Sequence, residues 1–165
     1  MTALALALFA GVVAAPSVLP VTTTDGVIVD LRTHFAGRAA VVIVMKSGSC
    51  EVCLAQLRTL SKRRSDIAAI GAVIAGLNTS SSTMNQRLQR DLNLEILRDP
   101  TGETLRSIRL WVPRIAAPLP GVVFINRCGE IEAVMSGRGP GHDDTQTILT
   151  TLKQYAAQTV CGVVI

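Results

Sequence analysis

Ala39-Ala-Val-Val-Ile-Val-Met-Lys-Ser-Gly-Ser-Cys-Glu-Val-Cys-Leu-Ala-Gln-Leu57 changes its pattern in mid-course. Ala39 to Met45 is a continuous, largely β-branched run without alternation, the pattern of a strand covered on both faces. Lys46-Ser-Gly-Ser49 breaks the run, and from Cys50 the apolar positions Leu54, Leu57 and Leu60 recur at helical spacing on one side. A buried strand therefore runs into a loop and then a helix, with Cys50 and Cys53 at the junction.

Working outward, Val21 to Asp25 is polar and turn-like, Gly26 to Asp30 reads as a short strand, and Gly37 marks a turn. Ile70 to Leu77 is a second buried-strand candidate, and the Asn78 to Ser82 cluster would cap a helix through Met84, Leu88 and Leu92. This is the βαβ rhythm of a mostly parallel sheet. Leu94 to Leu97 is a short strand ending at Asp99-Pro100, and Thr101 to Ile108 a brief helix. A loop with Pro113, Pro118 and Pro120 follows. Gly121 to Asn126, a turn at Arg127-Cys-Gly129, and Glu130 to Met135 predict a β-hairpin. Gly137 to Gly141 is a turn, and Asp143 caps a last helix carrying Ile148, Leu149, Leu152 and Tyr155. There is no internal repeat and no break in composition after the first twenty residues, so residues 21–165 are expected to form one domain.

The chain has 165 residues, 48% of them apolar but only 3% aromatic. Its core must come from Val, Ile, Leu and Ala, which suits a sheet covered by helices. The net charge of +4 is spread along the chain, and the one dense basic run, Lys62-Arg63-Arg64, stands at the expected end of a helix, where it complements the dipole. With few aromatics for base stacking, no nucleic-acid partner is expected.

Met1 to Pro20 contains no charged side chain. Its apolar run Ala3 to Val13, followed by the small residues Ala14 and Ala15, has the layout of a secretory signal, although the basic start is missing and Pro16 is awkward behind the cut. As an uncleaved anchor, the alternative, it would be shorter than the usual ~20-residue span, and only in that case is a membrane partner expected. Export is the favoured expectation, and four cysteines are consistent with an oxidising compartment.

Cys50-Glu-Val-Cys53 is the sharp motif. A thiol at a helix N-terminus meets unsatisfied N–H groups and the positive end of the dipole, and both stabilise the thiolate that does nucleophilic chemistry. A second thiol one turn on can close a disulfide and release a mixed-disulfide partner. Cys50 is thus the expected attacking thiol and Cys53 the resolving one, with Glu51 opposing a second negative charge while complementing the helix start. The alternatives are an inert pair and zinc: Cys-x-x-Cys is half of many zinc sites, and Cys128 and Cys161 would supply two more thiolates. A zinc knuckle, however, normally sits in a tight hairpin rather than at the mouth of a buried strand. Cys128 and Cys161 are otherwise candidates for a structural disulfide tying the C-terminal tail to the sheet, for two unpaired thiols, or for one distant resolving cysteine. His34 and His142 stand alone in turn-like segments and are read as surface residues. Trp111 either lines a substrate groove or simply packs.

Taken together, Gly26 to Tyr155 resembles a thioredoxin-superfamily redoxin of the alkyl hydroperoxide reductase/thiol-specific antioxidant branch. Val41 to Leu57 resembles that family's strand, active-site loop and helix. Leu97-Arg-Asp-Pro-Thr-Gly-Glu103 resembles its SDPxGE turn, and Val122-Val-Phe-Ile-Asn-Arg-Cys-Gly-Glu-Ile131 its TFxIDxxGxI hairpin. The resemblance implies a thioredoxin-like α/β fold: a central mixed, mostly parallel sheet flanked by helices, with a C-terminal hairpin and helix. Peroxiredoxins of this branch carry Pro-x-x-x-Thr-x-x-Cys, matched here by Lys46, Cys50 and Cys53. Cys53 thus aligns with their peroxidatic cysteine, and Cys50 replaces the threonine that orients the peroxide. The Cys-x-x-Cys is instead what thioredoxins have, with the first cysteine attacking. Thioredoxins also place a cis-proline against the disulfide, where Gly121 aligns and Pro120 lies one residue earlier. Their aromatic residue before the first cysteine is Ser49 here. Ser49, Pro120 and Gly121 are the substrate-binding candidates by this resemblance.

The expected function is therefore that of a thiol-disulfide oxidoreductase needing no metal or organic cofactor. Its partners would be protein thiols and disulfides, or a peroxide, together with a thiol reductant. The alternatives are a thiol peroxidase, with Cys53 oxidised to a sulfenic acid and Cys50 resolving it, and a non-catalytic zinc-binding or scaffold domain.

Overall fold

The computed structural model describes residues 18–137, 144–158 and 161. Residues 1–17 of the expected leader, His142, the Asp143 cap and the Gly137–Gly141 turn beyond its first residue lie outside the described residues.

The chain enters through β1 (Pro20–Thr22), which pairs antiparallel with β2 (Ile28–Asp30). A single turn, α1 (Leu31–His34), capped by Asp30, leads to β3 (Ala39–Val44). Then come α2 (Glu51–Ser61), α3 (Arg64–Ala69), β4 (Ala72–Asn78), α4 (Ser82–Leu92) and β5 (Glu95–Arg98). After α5 (Glu103–Ser107), β6 (Trp111–Val112) and β7 (Ala117–Pro118) form a small separate hairpin around a 3-10 turn. The chain closes with β8 (Gly121–Ile125), β9 (Ile131–Ser136) and α6 (Thr145–Ala156). The sheet order is β2-β1-β5-β4-β3-β8-β9, with β3, β4 and β5 parallel and β8 antiparallel to β3.

All six residues of β3 are buried, as an unalternating run requires, because each face of the sheet carries its own core. Val41 and Ile43 point to the face covered by α2, α4 and α6, where they meet Leu57, Leu88, Phe124 and Leu152. Ala40, Val42 and Val44 point to the other face, which is closed by Leu19, Val21, Leu31, Phe35 and Leu105. With so few aromatic residues, Phe124 is one of the largest fully buried side chains, its ring centroid 5.8 Å from that of Tyr155.

Several expectations need correction. Residues 21–25 are not simply a turn: Val21 belongs to β1 and is 1% exposed, because the strand's alternation turns its side chain inward between the half-buried Pro20 and Thr22. The strand expected from Gly26 begins only at Ile28, since Thr23 to Val27 form the hairpin turn, with Gly26 at φ +91°. Leu19 is buried, so packing begins just inside the first twenty residues. The basic run does not merely end a helix: Lys62 closes α2, whereas Arg64 opens α3. The Pro-rich loop is partly folded into the β6–β7 hairpin. Among the described residues no helix is long and apolar enough to cross a membrane.

Candidate active site

The break at Lys46 ends β3 because polar and glycine residues cannot continue a strand buried on both faces. The chain turns through Lys46–Ser49, with the Cys50 N–H donating to the Ser47 carbonyl at 3.2 Å, and α2 starts at Glu51. Cys50 is the helix N-cap, extended at φ −70° and ψ 99°, and its Sγ accepts the Cys53 N–H at 3.4 Å. A sulfur here fills the place usually taken by a Ser or Asp oxygen, satisfying one of the free amides of the first turn. Cys50 and Cys53 are joined as a disulfide with Cα atoms 5.3 Å apart.

The two sulfurs sit in different surroundings. Cys53 is 5% exposed and packs in the core with Leu54 and Leu57, whereas Cys50 is half-buried at the surface of the same cluster. Val52, between them, is 63% exposed. Glu51 points to solvent, where Arg58 stands 3.9 Å from it across two turns of α2.

A cavity of about 580 Å³ opens beside the pair, lined by Cys50, Val52, Cys53, Pro120, Gly121 and Asp144 among others. Its inner wall depends on Gly121, which pairs with Val44 at the start of β8. A Cβ there would lie 2.5 Å from the Met135 carbonyl oxygen. Of the three candidates taken from the resemblance, Pro120 and Gly121 line the cavity. Ser49 does not: it is exposed, and its hydroxyl lies 3.2 Å from that of Ser47. No cis peptide occurs among the described residues, so Pro120 reaches the cavity in the trans form. Among the described lining residues Asp144 is the one charged side chain, and none is a cation.

Cys128 and Cys161 are also joined, Cα atoms 5.4 Å apart, at the other end of the sheet. Cys128 lies in the β8–β9 turn, where Asn126 Oδ1 accepts the N–H groups of both Cys128 and Glu130. Between Val44–Gly121 and Ala40–Ile125 the β3–β8 ladder runs four residues, about 13 Å, so the two cysteine pairs do not converge. A four-thiolate zinc site is thus not assembled, and no cluster of potential metal ligands occurs among the described residues. His34 is remote from the pair, its Nε2 2.7 Å from Glu95 Oε1. Trp111 packs rather than lining the cavity: Gly102 lies beneath its ring, and the Arg106 guanidinium is 4.6 Å from the ring centroid.

The AhpC/TSA family model matches residues 13–134. The chain belongs to the AhpC/TSA family. Membership brings thiol-dependent chemistry, as an oxidoreductase or a peroxidase, and the paired cysteines at the head of α2 are the chemical equipment for it. Peroxiredoxin Q of Xanthomonas campestris superposes with a TM-score of 0.72 at 15% identity, over 84% of this chain and 91% of that one. The mitochondrial 2-Cys peroxiredoxin of Plasmodium falciparum gives 0.68 at 14% identity, over 88% and 95%, and Enterococcus faecalis AhpC 0.70 at 12%, over 87% and 93%. These likenesses establish the thioredoxin-like peroxiredoxin fold. No curated protein matches the chain.

Two features of this AhpC/TSA site have no simple signal in the sequence. Asp144 reaches the cavity only because α6 starts beside α2. Ser80, which accepts a hydrogen bond from the active-site loop, lies in a polar cluster whose sequence signal is only that of a helix cap.

Proposed function

We propose that the protein is a thiol-disulfide oxidoreductase acting outside the cytoplasm, with Cys50 as the attacking thiol and Cys53 as the resolving one. The observation that carries this reading is the asymmetry of the pair: Cys50 is the accessible sulfur and accepts the Cys53 amide, whereas Cys53 is buried behind it. The helix start and the amide favour a thiolate at Cys50 in the reduced protein.

The thiolate attacks one sulfur of a substrate disulfide, forming the Cys50–substrate bond and expelling the other sulfur as a thiolate. Cys53 then loses its proton and attacks Cys50 Sγ, re-forming the Cys50–Cys53 bond and releasing the second substrate thiol. Two electrons pass from the dithiol to the substrate, and a thiol reductant restores the protein. Run backwards, the same steps oxidise a partner. The uncharged segment Met1–Pro20 and a second, buttressing disulfide support an exported setting, the leader acting as a signal.

The fold shared with peroxiredoxins favours a second reading, in which a peroxide oxidises Cys53 and Cys50 condenses with the sulfenic acid, releasing water. Cys53→Ser separates the two. The oxidoreductase reading expects a stable mixed disulfide through Cys50, visible by mass spectrometry. If Cys53→Ser traps nothing and abolishes peroxide consumption by the protein, the peroxidase reading replaces it.

A further inference from the structure

We propose that Ser80 is a positioning residue for the dithiol, acting through the Gly48 amide; this rests on the reading of Cys50 as the attacking thiol. Cys50 is useful only while its sulfur stays at the head of α2, and the Lys46–Ser49 loop sets its place. Among the described residues, one side-chain hydrogen bond ties that loop to another element: Gly48 N–H donates to Ser80 Oγ at 2.8 Å. Ser80 is itself fixed, its N–H donating at 2.8 Å to Oδ1 of Asn78, the fully buried last residue of β4. The links run in order from the end of β4 through Asn78, Ser80 and Gly48 to Cys50.

Sterics point the same way. Gly48 is buried, and a Cβ there would lie 2.6 Å from Met84 Cγ and 3.1 Å from Ser80 Oγ. The loop backbone therefore approaches the entrance of α4 directly, and the Ser80 hydroxyl meets the buried amide. Without that hydroxyl the Gly48 N–H has no partner, and a buried amide without a partner is unstable. The relief open to it is a shift of the loop, which moves Cys50 Sγ away from the Cys53 amide. Ser80 thus helps to hold the geometry in which the Cys50 thiolate is favoured.

The test uses the full chain with the substitutions S80A, S80T and G48A. Two readouts are followed by peptide mass spectrometry: the pH dependence of Cys50 alkylation by iodoacetamide in the reduced protein, and the midpoint of the Cys50–Cys53 pair in dithiol/disulfide buffers. S80A is expected to slow alkylation about threefold to tenfold at a pH below the thiol's titration and to move the midpoint, the range corresponding to one weakened hydrogen bond. S80T, which keeps the hydroxyl, restores both. G48A crowds the same link from the loop side and shifts both readouts in the direction of S80A, which keeps the test available if S80A does not fold. Alkylation profiles and midpoints that coincide with those of the unmodified protein overturn the proposal, even where stability falls. Alkylation of Cys53 ahead of Cys50 in the unmodified protein overturns the underlying reading instead. The midpoint, a property of the pair whichever sulfur attacks, still tests Ser80.

Discussion

The two disulfides differ in what they contribute to stability, and the difference can be worked from the loops they close. Cys128 and Cys161 are separated by 33 residues, and chain entropy assigns such a closure about 3.7 kcal/mol at 25 °C. The same expression gives about 1.6 kcal/mol for the three-residue separation of Cys50 and Cys53. Against a domain stability of about 5–15 kcal/mol, the first is a large fraction and the second a small one. A bond opened in every catalytic cycle must be the one whose loss the fold tolerates. The perturbation is Cys128→Ser with Cys161→Ser, compared with Cys50→Ser with Cys53→Ser, and the assay is urea unfolding of each full-length variant. The first variant is expected to lose about 3–4 kcal/mol, with a larger denaturant slope because its unfolded chain exposes more surface, and to melt about 7–15 °C lower. The second should lose less than half as much. A loss below about 1 kcal/mol in the first variant, or a larger loss in the second, would refute the division into a staple and a working bond.

The remaining predictions concern the frame around the site. Phe124→Ala empties a fully buried position at the centre of the helix-covered face and should cost about 3–5 kcal/mol by denaturant unfolding. Gly129→Ala places a Cβ at φ +81° and 2.6 Å from the Arg32 carbonyl oxygen, and a loss of about 1–3 kcal/mol in the same assay is expected. Ser81→Ala removes the hydroxyl that accepts the Met84 N–H at 3.3 Å at the start of α4, and should lower the stability measured by thermal unfolding by about 1 kcal/mol. In a redox titration followed by thiol alkylation, Cys50 and Cys53 should titrate together as one two-electron couple. Two independent one-thiol transitions would sink the assignment of a mutual working disulfide.

The central fold was legible because its pattern is strong. The seven-residue apolar run Ala39 to Met45, without alternation, fits the middle of a sheet covered on both faces, and β3 occupies it with six of them. The spacing of Leu54, Leu57 and Leu60 likewise left α2 one face to bury, and this puts Cys50 at its cap. The outer elements were harder to read because little local signal separates them from turns. β1 and β2 have three residues each, and Leu31 to His34 makes a single turn held by Asp30 and by packing of Leu31 on the distant Val42 side of the sheet. Pairing partners, rather than propensity, decide such segments. At the site, residues adjacent in sequence to the cysteines were visible, and Pro120 and Gly121 followed from the resemblance. Asp144 and Ser80 were not, since their nearness to Cys50 and Cys53 is created by the packing of α6 and α4 beside α2.

The choice between disulfide exchange and peroxide reduction turns on what must leave. Cleaving a peroxide expels hydroxide or alkoxide, far stronger bases than the thiolate that disulfide exchange expels, whose acid has pKa of about 8.5. The more basic leaving group needs more stabilisation of its developing charge as the bond breaks, normally by a cation or aimed N–H donors. The cavity beside Cys50 and Cys53 has apolar walls at Val44, Val52 and Pro120. Its one charge among the described lining residues is the carboxylate of Asp144, which is exposed to solvent. Thiolate departure asks less of such a site, and Cys50, half-buried where Cys53 is buried, is the more reachable sulfur. The same family frame can carry either reaction, and the proposed exchange draws on Cys50 as the more exposed sulfur of the pair.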